Sequence, residues 1–330
     1  MMPRRVYWNS VKIALIGYGN VARGLVRILR EKRAEHSFEI VGIHRRQGSV
    51  CGVFDPENPI FLPDRPTVHE FLDRCKADVL VELTTLNPES GQPAISYIQE
   101  ALRRRMHVVS ANKGPVAFAY DELATHAKAQ GVRYLYESAV MDGAPVFNMV
   151  RHTLPGVKIL GFTGVLNSTT KLIIDAMECG ASFEDGVKHA QRLGVAEENY
   201  EYDTQGWDAA AKTAALANVF LGAKTTPAEV VRQGIHGFTA ERVRTLASQG
   251  QTVRLVSRGE QTADGIKLQV KPEILPRQDL LASVGGTSNL ILLHTDRMGT
   301  LGTISISPIV EHTAYGVYID LLELVRYPLT

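Results

Sequence analysis

Residues 11–16 (VKIALI) are a short apolar run, followed at once by Gly17-Tyr18-Gly19-Asn20-Val21-Ala22 and then by RGLVRILREKR, whose apolar residues recur at helical spacing. A strand, a glycine turn and a helix in direct succession leave few choices of fold. The first glycine permits the tight turn, the second lets backbone approach a pyrophosphate, and a small third residue lets the helix pack on the strand. Ala22 meets the third need. A glycine pattern alone is a weak signal, but strand before and helix after make this one specific. Gly17, Gly19, Asn20, Val21 and Ala22 are therefore the candidate pyrophosphate-binding residues of a Rossmann-type turn.

The rest of the first half alternates strands with helices, which predicts a parallel α/β sheet. The strand FEIVGI ends at Ile43, and His44-Arg45-Arg46 stands where an NAD enzyme usually places an acid for the ribose hydroxyls. Arg45 and Arg46 can instead fork onto a 2′-phosphate, which favours NADP over NAD; the alternative is that both are merely solvated. Residues 78–83 form a strand leading to Thr84 and Thr85, and HVVSANKGPVA leads by strand and loop to Lys113. Both places belong to the sheet edge that faces a cofactor in a doubly wound fold. A helix near residues 120–130 and a strand within RYLYESAVMDGAPV complete this half.

The pattern then changes. VKILGFTGVLN reads as strand, residues 168–180 and 183–193 as helices, and IKLQVKPEILP, LASVGGTSNLILLHTD and TLGTISIS as β-type runs. The expected organisation is an N-terminal Rossmann domain over residues 1–143, to which a last helix near 308–330 returns, and an α+β catalytic and dimerisation domain over 144–307.

At 330 residues two domains are the natural prior. Lys+Arg 36 against Asp+Glu 35 leaves no field for nucleic acid or an acidic membrane, so a small-molecule partner is expected. Cys51, Cys75 and Cys179 show no paired or metal-like spacing, which fits a reducing cytoplasm and disfavours a disulfide framework. No signal peptide and no run of about 18 apolar residues is visible, so the expectation is a soluble cytoplasmic protein.

The candidate chemistry lies in residues 194–212, GVAEENYEYDTQGWDAAAK. From Trp207 the run WDAAAKTAALANVFLG has the composition of a helix, with Gly222 as its stop. Asp208 and Lys212 sit one turn apart on it. By spacing alone such a pair is most often a solvated surface contact. Here alanine and leucine make the helix apolar nearly all round, which marks it as buried. With Glu197, Glu198 and Asp203 on the loop before it, acids and one lysine can hold an ammonium and move a proton.

Taken together, GYGNVARG, VELTT, HVVSANKGP, YESAVMDGAPV, GVLNSTTK, LGVAEENYEYDTQGWDAAAK and EHTAYGVYIDL resemble the homoserine dehydrogenase family over nearly the whole chain. The resemblance implies reversible hydride transfer between NAD(P)H and aspartate semialdehyde, giving homoserine on the way to threonine and methionine. It implies Lys212 as the proton-transferring lysine, Lys113 as a second active-site lysine, and Glu197, Asp203 and Asp208 as the acids that bind the amino alcohol. It further implies a monovalent cation on Glu137 and the backbone carbonyls of Val140, Asp142 and Ala144, although a satisfied loop carboxylate is a competing reading of Glu137. A homodimer through a shared sheet is also implied. The chain stops at Thr330, so no regulatory ACT domain is expected.

Three places depart from the family: Ser168 and Lys171 within Asn167-Ser168-Thr169-Thr170-Lys171, and Asn199-Tyr200 after Glu198. They keep open another small hydroxy acid or carbonyl as substrate. A sensor that binds NADP(H) without turnover is a further alternative, disfavoured by the set Glu197, Asp203, Asp208 and Lys212.

Overall fold

In the computed structural model, which describes residues 10–326, strand β1 (Val11–Ile16) is buried at every position except Lys12. A run of Val, Ile, Ala and Leu covered on both faces has this pattern. It is followed by α1 (Asn20–Glu31), β2 (Phe38–Arg45), β3 (Gly48–Cys51), α2 (Val68–Cys75), β4 (Val79–Glu82), α3 (Ala94–Arg103), β5 (His107–Ser110), α4 (Lys113–Gln130) and β6 (Tyr134–Leu135). The six strands form one sheet in the order β3-β2-β1-β4-β5-β6. Every neighbouring pair is parallel except β2 with β3. The order reverses between β1 and β4, and the carboxyl ends of those strands flank the crevice where such sheets take a nucleotide.

The parallel sheet read from the sequence is therefore the core of this unit, with an antiparallel edge that the alternation of strand and helix does not predict. Only residues 46 and 47 separate β2 from β3, too few for the crossover a parallel neighbour needs. β2 accordingly runs on to Arg45 instead of ending at Ile43. Helix α4 also starts earlier than the sequence suggests, at Lys113, with a break at Ala119 (φ −142°).

The chain divides into two compact units, one running to Asn148 and resuming at Ile309, the other Met149–Pro308. Helix α5 (Phe147–Thr153) contains the boundary. The second unit comprises β7 (Ile159–Val165), α6 (Ser168–Glu178), α7 (Phe183–Arg192), α8 (Glu201–Thr204), α9 (Trp207–Leu221), β8 (Val231–Arg232), α10 (Ala240–Ser248), β9 (Gln251–Thr262), β10 (Gly265–Pro276), β11 (Asn289–Thr295) and β12 (Thr300–Ser305). Its sheet runs β12-β11-β7-β9-β10-β8, antiparallel apart from the short β10–β8 pairing. The long β9–β10 hairpin is its backbone, closed by Ala263-Asp264 before Gly265 at φ +115°. Strand β9 is absent from the β-type runs read in the sequence. Helix α9 packs on β9, β10 and β7 and ends at Gly222, φ +65°, where a left-handed residue without a Cβ is the usual stop.

The last helix, α11 (Val310–Arg326), belongs to the first unit and lies on α1. Ala314, Val317 and Leu321 join Leu25, Val26 and Leu29 in one apolar cluster. Gly24 makes the approach possible, since a Cβ there would stand 2.9 Å from the Ala314 Cβ. Gly24→Val should force the two helices apart and lower the denaturant midpoint by the equivalent of about 1–3 kcal/mol. Arg27→Ala, which removes a half-exposed ion pair to Glu311, should move it by less than about 1 kcal/mol. Equal effects from the two variants would contradict this account of the packing.

Candidate active site

At the glycine turn of the first unit the two glycines answer to different needs. Gly17 sits at φ +93°, and a Cβ there would meet the Leu83 carbonyl oxygen at 2.6 Å, so the turn admits glycine alone. Gly19 is different: nothing lies within 4 Å of where its Cβ would be. It caps α1 without any side-chain hydrogen bond. Open space beside Gly19, at the start of a twelve-residue helix, is an arrangement that suits a pyrophosphate. Asn20 is exposed, Val21 partly buried and Ala22 fully buried against the sheet.

A buried carboxylate fixes the neighbouring loops. Glu82, at the end of β4, is wholly inaccessible. It accepts from the Thr84 amide at 2.8 Å, from the Thr84 hydroxyl, and from the Ser110 hydroxyl at 2.7 Å. Burial pushes the Glu82 carboxyl above its usual range, and the Thr84 and Ser110 bonds act against that. The Ser110 hydroxyl in turn accepts from the Asn112 amide, and the Asn112 side chain caps α4 by accepting from Gly114 N at 2.9 Å. Thr84 and Lys113, on the first turn of α4, are thereby tied to one buried acid. Thr85 is exposed. Sequence reasoning names the threonines and Lys113 but not Glu82, whose signal is an acid ending an otherwise apolar strand.

Arg45 and Arg46 lie on the β2–β3 hairpin. The Arg45 guanidinium stacks 3.7 Å from the Phe61 ring centre, and its Nε is buried without a hydrogen-bond partner among the described residues. Arg46 is exposed.

The second unit gathers acids and a lysine around one asparagine. Asn167 caps α6, its Oδ1 accepting from the Thr170 amide at 2.9 Å. Its Nδ2 donates to Asp203 Oδ1 at 2.6 Å and to Asp208 Oδ2 at 3.0 Å. The Thr169 hydroxyl donates to Asp203 Oδ2 at 2.9 Å. Lys212 Nζ lies 3.2 Å from Asp208 Oδ2 and donates to the Leu166 carbonyl at 2.6 Å. The side chains of Lys212 and Asp208 are 16% and 11% exposed, which removes them from the class of solvated surface pairs. Burial, and then the negative charge of Asp208, raise the Asp203 carboxyl to about 6 against the Asn167 and Thr169 hydrogen bonds. Tyr202 adds a phenol whose buried oxygen has no partner among the described residues.

Asp203, Asp208 and Lys212 are thus brought together as the sequence suggests. Glu197 shares no hydrogen bond with them among the described residues: it is exposed on the loop after α7, where its carbonyl accepts from the Gln191 side chain. Glu198 is exposed beside it. Asn167 and Thr169 enter the sequence reading only as part of a departing motif; their signal is an N-cap asparagine ahead of two threonines. Of the departures, Lys171 is almost fully buried with Nζ donating to Asn289 Oδ1 at 3.1 Å, and the Ser168 hydroxyl reaches the Thr287 carbonyl at 3.2 Å.

Glu137 is buried at the start of a short 3-10 turn, Glu137–Ala139, of the first unit. Its Oε1 accepts from the Phe147 amide at 3.0 Å and its Oε2 from the Asn148 amide at 2.6 Å. Its own amide donates to Asp320 on α11 at 2.8 Å. The nearby chain is tight, with Asp142 at φ +57°.

Two family models match the chain: one described as homoserine dehydrogenase over residues 145–322, the other as the homoserine dehydrogenase NAD binding domain over residues 17–137. The homoserine dehydrogenase of Sulfurisphaera tokodaii is 33% identical, covering 96% of this chain and 99% of its own. The NAD(+)-dependent homoserine dehydrogenase of Pseudomonas canavaninivorans is 30% identical over 96% of each chain. A solved hyperthermophilic archaeal homoserine dehydrogenase in complex with NADPH matches with a TM-score of 0.83 at 28% identity, covering 97% of this chain and 100% of that one.

The raised Asp203 carboxyl has a measurable consequence. Because the folded protein holds the proton more tightly than the unfolded chain, this group's contribution favours folding below pH about 4 and is lost as pH rises toward 6. The loss amounts to roughly 2–3 kcal/mol, since each tenfold difference in proton affinity between folded and unfolded chain is worth about 1.4 kcal/mol. Thermal unfolding between pH 4 and 7 should therefore show Asp203→Asn gaining on the wild type as pH rises. A constant difference between the two across that range would contradict the raised carboxyl.

Proposed function

The chain belongs to the homoserine dehydrogenase family, and on that premise we propose that it interconverts L-homoserine and L-aspartate 4-semialdehyde with NAD(P), Lys212 handling the proton. It is an NAD(P)-dependent oxidoreductase acting on a CH–OH group. The observation that carries the assignment of roles is the Asn167–Asp203–Asp208–Lys212 network, because it places a fixed lysine ammonium beside two acids in one partly buried place.

The open Gly19 and the uncapped start of α1 suit a pyrophosphate, so Gly17, Gly19, Asn20, Val21 and Ala22 are assigned to hold the dinucleotide, with Thr84, Thr85 and Lys113 beside it. When bound, the nicotinamide supplies a hydride to the aldehyde carbon or takes one from the alcohol. Lys212 gives its proton to the developing alkoxide oxygen, and takes it back in the reverse direction. Its bonds to the Leu166 carbonyl and Asp208 fix the ammonium before substrate arrives, so little reorganisation is left for the reaction itself. Asp203 and Asp208 receive the substrate ammonium. Asp203 titrates near 6, so substrate binding weakens below that pH. Glu197, exposed on its loop, is assigned to substrate binding.

Arg45 and Arg46 favour NADP through its 2′-phosphate; the buried Arg45 Nε, without a hydrogen-bond partner among the described residues, supports this. Glu137 with the carbonyls of Val140, Asp142 and Ala144 offers a carboxylate and backbone oxygens, a donor set that suits a hard monovalent cation. The residue division is read as a cofactor domain over 1–143 with the C-terminal helix, and a catalytic and dimerisation domain over 144–307. A homodimer through a shared sheet is the expected assembly, with edge strand β12 and its exposed Ile304 the support for it, and the reaction is assigned to the cytoplasmic synthesis of threonine and methionine.

Steady-state oxidation of L-homoserine with NADP and with NAD, followed by absorbance of the reduced nicotinamide, tests the substrate and the cofactor together. A lower KM for NADP is expected, and a preference for NAD would remove Arg45 and Arg46 from the role. Absent turnover from protein that binds NADPH would shift the substrate to another small hydroxy acid, with buried Lys171 the first residue to examine. Lys212→Ala should lower kcat by about 10²–10⁴-fold when assayed well below its unfolding midpoint, which itself falls because Asp208 loses its countercharge, whereas Glu197→Ala should act on KM. Near-normal kcat in the Lys212 variant would sink its assignment.

A further inference from the structure

Cys51 ends β3 and Cys75 ends α2, 24 positions apart in the chain, yet their sulfurs lie 2.8 Å from each other. The absence of paired spacing in the sequence argues against any such partnership, and the fold overrides it. Gly42 of β2 pairs with Cys51 across the hairpin, and a Cβ at Gly42 would run into the Cys75 sulfur and press on the Phe71 ring. The glycine therefore makes the room that lets α2 bring its thiol under the hairpin. Cys75 is buried and Cys51 partly exposed, so the two sulfurs differ in access to a reagent from solvent. Cys179, the third thiol, is exposed in the other unit.

We propose that Cys51 and Cys75 form a reversible redox pair, in which a hydroperoxide oxidises Cys51 and Cys75 resolves it to an intramolecular disulfide. Cys51 loses its proton, and its thiolate attacks one peroxide oxygen; the O–O bond breaks, hydroxide leaves, and Cys51 becomes a sulfenic acid. Cys75 then attacks the Cys51 sulfur. The S–O bond breaks, and the hydroxyl leaves as water with the Cys75 proton. In sum two thiols lose two electrons and one hydrogen peroxide becomes two waters.

The division of labour agrees with the surroundings. The hydrogen bond from Cys75 holds the Cys51 thiol below its ordinary range, with the Arg74 guanidinium acting in the same direction against burial. The bond to Cys51 and burial push Cys75 the other way. The more exposed sulfur is thus the better thiolate, as a peroxide-reactive cysteine requires.

The bond would close the loop of residues 52–74 at its base. That loop holds Phe61 under the Arg45 guanidinium, Pro56, whose carbonyl accepts from the Tyr18 hydroxyl, and Asp64, which accepts from Arg74 at 2.7 Å and Ser49 at 3.2 Å. Oxidation therefore pins the segment packed beside Arg45, and its structural part stands whatever the substrate proves to be.

The test is to treat the folded full-length protein with hydrogen peroxide, alkylate it under denaturing conditions, and map its peptides by mass spectrometry. The expected product joins Cys51 to Cys75 with Cys179 alkylated, is reversed by dithiothreitol, and unfolds on the order of 5 °C higher than the reduced protein. Cys75→Ser should leave Cys51 as a sulfenic or higher acid with no cross-link, and Cys51→Ser should leave Cys75 alkylated after the same treatment. Cys51 and Cys75 both alkylated in peroxide-treated wild type, or Cys51 joined to Cys179, would overturn the proposal. Oxidation of Cys75 in the Cys51→Ser variant as fast as in wild type would overturn the assigned order of attack.

Discussion

Removing charge from water is the constraint around which the second unit is arranged. Two carboxylates and a lysine in a partly buried cluster are unfavourable unless each has an opposite charge or a hydrogen bond. Asp208 has the Lys212 ammonium and the Asn167 amide; Asp203 has Asn167 and Thr169. The supply is uneven. Lys212 stands next to Asp208, and Asp203 bears both burial and its neighbour's negative charge, which is why its carboxyl rises to about 6. A ligand ammonium at that place would meet an acid that lacks a full countercharge. The same imbalance that weakens the folded state above pH about 4 prepares the site for a cation.

Helix α9 makes this possible through what it lacks. Its alanines leave no bulk between the helix and β9, β10 and β7, so Asp208 and Lys212, one turn apart, are held below the surface without long side chains to displace. The composition that marks the run as a buried helix in the sequence is therefore also the reason that its two charged residues differ from an ordinary surface pair.

Much of this is legible in the chain, and the limits fall in particular places. The glycine turn can be read because Gly17 and Gly19 answer to local backbone needs, a positive φ at one and open space at the other. Helix α9 can be read because its alanine-rich composition and a glycine stop are local too. What escapes the sequence is non-local. Asn167 lies 36 positions from Asp203 and 41 from Asp208, and no spacing rule links them. Cys51 and Cys75 meet only because Gly42, on a third element, leaves room. The antiparallel β3 escapes for another reason: alternation of strand and helix extends over a segment whose two-residue connection already forbids it.

The two units reach a common solution to a common problem. In the first, Asn112 caps α4 with its Oδ1, while its Nδ2 points to the Thr84 hydroxyl at 3.5 Å, next to buried Glu82. In the second, Asn167 caps α6 in the same way, with its Nδ2 directed to Asp203 and Asp208. Aspartate caps a helix about as well as asparagine, so capping does not explain the choice. An aspartate offers only acceptors. Beside Glu82, or between Asp203 and Asp208, it would add a negative charge where one too many already stands. Asparagine alone among the good caps supplies an acceptor for the helix amide and two donors for the acid, and in both places it joins the start of a helix to a buried carboxylate.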